Sequence, residues 1–87
     1  MKTSNDIHVV EAQIREVLAK HANLKQDPRG LPEDASLSEA GMSSHASVNV
    51  MLALEALFGE LPEHLLTRST FRSIASLGEA MRSLVRH

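Results

Sequence analysis

Gly41-Met42-Ser43-Ser44-His45-Ala46-Ser47-Val48-Asn49-Val50-Met51-Leu52-Ala53-Leu54-Glu55-Ala56-Leu57-Phe58-Gly59 is the stretch that decides the fold. Two adjacent hydroxyls open a long apolar run, and a glycine closes it. Serine is favoured before a helix because its side-chain oxygen accepts a hydrogen bond from one of the first-turn N–H groups that lack a partner within the helix. Gly59 suits the C′ position, and Pro62 follows at the spacing expected after a helix stop. At about 100° per residue, Ser47, Val50, Met51, Leu54, Leu57 and Phe58 gather on one face, which is wide enough to pack against two other helices. His45, Asn49, Leu52 and Ala56 lie opposite, with Val48 and Glu55 at the margin beside Ser44. The free amides and positive dipole end of such a helix favour an anion on or near the serine oxygen.

Upstream, Ser4, Asn5 and Asp6 are N-cap candidates, and Ile7, Val10, Ile14, Val17, Leu18 and His21 recur mostly at three- and four-residue steps. This predicts an amphipathic helix over residues 5–22. Its polar face offers Glu11 with Arg15 and Glu16 with Lys20 as acid-first i,i+4 pairs. Asp27-Pro28-Arg29-Gly30 and Pro32 forbid a regular helix across 23–43. A connection of that length, far above the usual run of about four to six residues, is expected to be functional or poorly ordered. Leu31, Leu37 and Met42 are its expected core anchors. Downstream, residues 63–66 fit a turn of helix, and Ser69 is placed to cap a short helix over 70–74. Ser76-Leu77-Gly78-Glu79 fits a capping box for a last helix with Leu77, Met81 and Leu84 inward and Arg82 and Arg86 near its end. The expected class is all-α: a small four-helix bundle of three main helices plus a short third one, with a long loop between helices 1 and 2. Residues 1–87 form one domain.

Composition narrows the functions. Eighty-seven residues bury only a small core. A net charge of −2 with scattered basic residues gives no footprint for nucleic acid. The absence of cysteine removes disulfides, thiolate metal sites and a cysteine nucleophile. Any thiol chemistry must then arrive on a prosthetic group. His8 and His21 are too far apart on a helix to share a metal ion, so no metal site is expected. Ser44 and His45 point about 100° apart and are not a nucleophile–base pair, so no catalytic residues are expected. Met1 to Asp6 lack the apolar region of a signal peptide, and no apolar run is long enough to span a bilayer. The expected location is cytoplasmic, without membrane contact.

The ungapped pattern Gly-x-x-Ser-x-x-x-Val-x-x-x-x-Ala-Leu-Glu-x-x-Phe-Gly from Gly41 to Gly59 is similar to the segment around the modified serine of acyl and peptidyl carrier proteins. Those carriers usually read Asp-Ser-Leu where this chain reads Ser43-Ser44-His45. The wording from His45 to Glu55, with Arg68-Ser69-Thr70-Phe71-Arg72-Ser73-Ile74, most resembles the small stand-alone carriers paired with amino acid:carrier protein ligases, truncated relatives of class II aminoacyl-tRNA synthetases. The resemblance implies a non-catalytic, monomeric carrier. Ser44 would bear 4′-phosphopantetheine derived from coenzyme A, Ser43 would cap the helix, and a small amino acid such as glycine or alanine would be held as a thioester. Its partners would be a phosphopantetheinyl transferase, the ligase and a downstream acceptor enzyme. Partner contacts are expected at His45, Val48, Asn49, Leu52, Arg68 and Arg72. Carriers of fatty acid synthesis are acidic along the second helix, whereas Glu55 is the sole carboxylate between Ser44 and Phe58 here. A fatty or polyketide acyl cargo, and an unmodified helical adaptor in which Ser44 is only a cap, are the alternatives.

Overall fold

A computed structural model describes the backbone of residues 7–85 and the side chains of 9–84. Its α-helices are α1 (Ile7–His21), α2 (Ser44–Phe58) and α3 (Ile74–Val85), with single 3-10 turns at Pro28–Gly30 and Glu63–Leu65. The Ser4, Asn5 and Asp6 caps and Arg86 lie outside the described residues. α1 packs against both other helices, which touch each other less. Val10, Ile14, Val17 and Leu18 of α1 meet Val50 and Leu54 of α2 and Ile74, Leu77 and Met81 of α3, all buried. Each such side chain contributes roughly 1.5–3 kcal/mol by leaving water.

The all-α class holds, but the short third helix does not form among the described residues. Residues 67–72 are a compact turn closed by Phe71 N to Thr67 O at 3.3 Å and Arg72 N to Ser69 O at 3.4 Å. Thr67 supplies the cap expected of Ser69, its Oγ1 accepting from Thr70 N at 3.2 Å. The turn cannot continue as a helix because Leu37 N donates to Arg72 O at 2.8 Å, which draws that carbonyl toward the long connection. The capping box of α3 is displaced as well. Ser73 Oγ accepts from Ser76 N at 3.1 Å while Ser76 Oγ accepts from Ser73 N at 3.0 Å, the reciprocal pair one turn before the expected Ser76 to Glu79.

On α2 the buried line is Ala46, Val50 and Leu54. Residues four apart advance about 40° around a helix of 3.6 residues per turn, so this line slants toward Phe58 in the last turn. Leu57, expected inside, is left behind the slant and is 53% exposed.

The connection from residue 23 to 43 is anchored throughout. Leu31 and Leu37 are buried and Met42 packs against the core. Arg15 reaches beyond its own helix and donates from Nη1 to the carbonyls of Pro28 and Leu31, both at 2.7 Å. Ala75 N donates to Glu33 O at 2.8 Å and Lys25 N to Ala40 O at 2.9 Å, tying the segment to α3 and to itself. Gly41 turns the chain into α2 at φ +116, and a Cβ there would stand 3.1 Å from Lys25 Cγ and 3.3 Å from Lys25 N. The Lys25 side chain can yield, but its amide is held by Ala40. Gly41→Ala is expected to cost about 1–2 kcal/mol, read as a fall in Tm of about 4–8 °C per kcal/mol.

Glu16 bonds Arg29 rather than the expected Lys20, with Arg29 Nε at 2.9 Å from Oε2. The guanidinium's hydrogen bond holds the Glu16 carboxyl below its ordinary range. Asp27, whose Oδ1 accepts from Arg29 N at 2.9 Å, is lowered chiefly by that amide. Folded-state values below the unfolded ones mean that this stabilisation is present above the ordinary carboxylate range. It is lost as pH falls through the depressed values. In Arg29→Ala, carboxyl NMR titration is expected to show Glu16 rising toward its ordinary value and Asp27 moving less, because its amide donor remains.

Candidate functional site

The start of α2 distinguishes its two hydroxyls. Ser43 is the N-cap, extended at φ −83 and ψ 168, and its Oγ accepts from Ala46 N at 3.1 Å. Ser43 O accepts from Ser47 N at 2.9 Å. Ser44 is the first helical residue and is exposed, and its own hydroxyl makes no hydrogen bond among the described residues. Its carbonyl accepts from Ser47 Oγ at 2.7 Å, which fixes the first turn. The Ser44 and His45 amides have no acceptor among the described residues, as is usual for the first amides of a helix. Ser43→Ala is expected to lose about 1 kcal/mol through the cap, measurable by urea unfolding.

Beside Ser44 lies an open groove of about 610 Å³ formed by the end of the long connection, α2 and the 67–72 turn. Met42, Val48, Met51 and Phe71 give it apolar walls, and Arg68 and Arg72 line it as well. The turn is held from behind by Ser76 Oγ donating to Thr70 O at 2.8 Å, as well as by Leu37. Val48 is 50% exposed, and both arginines are exposed without a side-chain bond or ion pair among the described residues.

The residues expected to meet partners do not share one surface. Val48, Arg68 and Arg72 line the Ser44 groove, whereas Asn49 and Leu52 line a second groove of about 720 Å³ between α1 and α2, with Val17 and Leu57. His45 is exposed and lines neither. Glu55, expected at the outer margin, is half-buried and accepts from Leu61 N at 3.3 Å, holding the chain after α2. The sequence reading missed Ser36, Ser38 and Thr67 on the Ser44 groove. The only available signal was that Ser36 and Ser38 flank the buried anchor Leu37.

Among the described residues no group of three or more His, Asp or Glu could hold a metal ion. No helix among them is long and apolar enough to cross a membrane.

No family model matches the chain. It is 38% identical over 77 residues to an aminoacyl carrier protein of Agrobacterium fabrum, across 87% of this chain and 93% of that protein. It is also similar to a chain in the crystal structure of an engineered Bradyrhizobium japonicum glycine:[carrier protein] ligase complexed with carrier protein from Agrobacterium tumefaciens and AMP. That match has a TM-score of 0.78 and 40% identity over 83% of this chain and 97% of the other. The corresponding complex with ATP gives a TM-score of 0.79 and 39% identity over 85% and 97%. A solution structure of an Agrobacterium tumefaciens protein gives 0.68 and 38% over 87% and 93%.

Proposed function

Because the chain belongs to the aminoacyl carrier proteins, which are non-catalytic, we propose that it holds a small activated amino acid, such as glycine or alanine, on a 4′-phosphopantetheine arm attached to Ser44. The observation that carries this reading is the contrast between neighbours: the Ser43 hydroxyl is occupied by Ala46 N, and the Ser44 hydroxyl is exposed and unengaged. When bound, the arm supplies a terminal thiol that holds the amino acid as a thioester, chemistry that a chain without cysteine lacks. Residues around Ser44 fit such a group. The first-turn amides and dipole of α2 favour a phosphodiester on that oxygen, and the adjoining groove leaves the oxygen open to solvent.

The chain's own part is placement. Ser43 fixes where the helix begins, and Ser44 thereby projects from a rigid element rather than a loop. Val48 gives an enzyme docking over the groove an apolar foothold, and Arg68 and Arg72 line the same groove. Three partners follow from this role: a phosphopantetheinyl transferase that draws on coenzyme A, an amino acid:carrier protein ligase, and an acceptor enzyme. A tethered cargo reaches each of them at high effective concentration.

The test is stepwise intact-mass measurement. The purified chain is incubated with coenzyme A and a broad transferase, then with ATP and a glycine:[carrier protein] ligase offered glycine or alanine. A first mass increment followed by a second, hydroxylamine-labile increment is expected. Loading of a fatty acid but not of an amino acid, using an acyl:carrier ligase, would transfer the reading to an acyl carrier. No first increment would leave the helical adaptor.

A further inference from the structure

We propose that the groove beside Ser44 is a cationic docking rim that selects a loading ligase with an acidic contact surface, the reverse of the charge rule followed by acidic carriers. This deepens the carrier reading and rests on it. Arg68 and Arg72 are the sole charged residues lining the groove among those described. Both are exposed, and neither is neutralised by a carboxylate. The one acidic residue of α2, Glu55, is turned to Leu61 N and does not line the groove.

The backbone of the turn that carries the two arginines is also held in position. Their segment is closed by Thr67 at one end, and its carbonyls at Thr70 and Arg72 accept from Ser76 Oγ and Leu37 N, both at 2.8 Å. A charge on an anchored turn loses less freedom on docking than one on a mobile loop. A partner reaching Ser44 across this rim passes Val48 and two uncompensated positive charges. Carboxylates there gain attraction and bidentate pairing, whereas lysines or arginines meet repulsion. Arginine suits this use because its planar fork pairs with carboxylates geometrically, which a lysine cannot do.

The experiment measures binding of the Bradyrhizobium glycine:[carrier protein] ligase to the arm-bearing chain by calorimetry, at about 0.05 and about 0.5 M salt. Affinity is expected to fall with salt. Arg68→Glu/Arg72→Glu is expected to weaken low-salt binding by about tenfold or more and to flatten the salt dependence. Arg68→Gln/Arg72→Gln should give an intermediate loss, and serves if the reversal variant fails to fold by circular dichroism. Arg68→Lys/Arg72→Lys, which keeps the charge and loses the fork, should weaken binding less than the glutamine pair and keep the wild-type salt dependence. Equal affinity in all variants, no salt dependence, or no binding by the wild-type chain overturns the proposal. If Ser44 of that wild-type chain has nevertheless gained its arm by mass, the carrier reading survives and only the docking rim is lost.

Discussion

Ser44→Ala is expected to abolish the mass increment from coenzyme A completely, while Ser43→Ala keeps it. The two residues are chemically identical neighbours, so only their environments can separate them. Ser43 Oγ accepts from Ala46 N at 3.1 Å, and engaging it elsewhere would give up the cap that starts α2. Ser44 Oγ has no such duty and faces solvent. Removing its oxygen costs the fold little, since first-turn helical positions accept alanine readily. The expected pattern is therefore an all-or-none loss with unchanged Tm in Ser44→Ala. In Ser43→Ala, a Tm lowered by about 4–8 °C, matching about 1 kcal/mol of capping, accompanies retained modification. Intact-mass spectrometry and thermal unfolding of both variants separate the two roles.

The second large effect is expected at Leu37, far from Ser44 in kind but adjacent in consequence. Its side chain is fully buried, although it belongs to a connection rather than a helix. Its amide donates to Arg72 O, and its carbonyl accepts from Met42 N at 2.9 Å. Leu37→Ala is expected to cost about 2–5 kcal/mol, the range for truncating a buried leucine. Small domains are stable by only about 5–15 kcal/mol, so this is a substantial fraction of the whole. Urea unfolding should show a lowered midpoint. Amide exchange should rise first across 36–42 and 67–72, because Leu37 joins both walls of the Ser44 groove: its side chain seats the connection in the core and its amide bonds Arg72 O. A loss under about 1 kcal/mol would mean that the connection is not part of the core.

The fold was legible where local chemistry decides it. Ser43 and Gly59 bound α2 through a cap bond and a positive φ, and both effects act within one turn of the chain. Leu31 and Leu37 stood out as apolar residues among breakers, and both are buried. What failed depended on distant partners. Thr67, Ser69, Thr70, Ser73 and Ser76 present five hydroxyls within ten residues, any of which can cap. Leu37 N reaching Arg72 O decides among them, and nothing near residue 70 announces that bond. Arg15 and Glu16 hydrogen-bond the Pro28 and Leu31 carbonyls and Arg29, respectively, because the connection folds back over α1. The Ser44 groove draws its walls from segments some thirty residues apart, so Thr67 carried no local mark, and Ser36 and Ser38 carried only their place beside Leu37.

The most direct measurement is fragmentation of the peptide spanning Gly41 to Phe58, taken from the wild-type chain after incubation with coenzyme A and a broad transferase. Fragment ions that break between Ser43 and Ser44 assign the added mass to one oxygen without altering either residue. The account predicts that every modified fragment contains Ser44 and that Ser43 stays bare. Modification on Ser43, or an unmodified peptide after incubation with a transferase active on a control carrier, would contradict it.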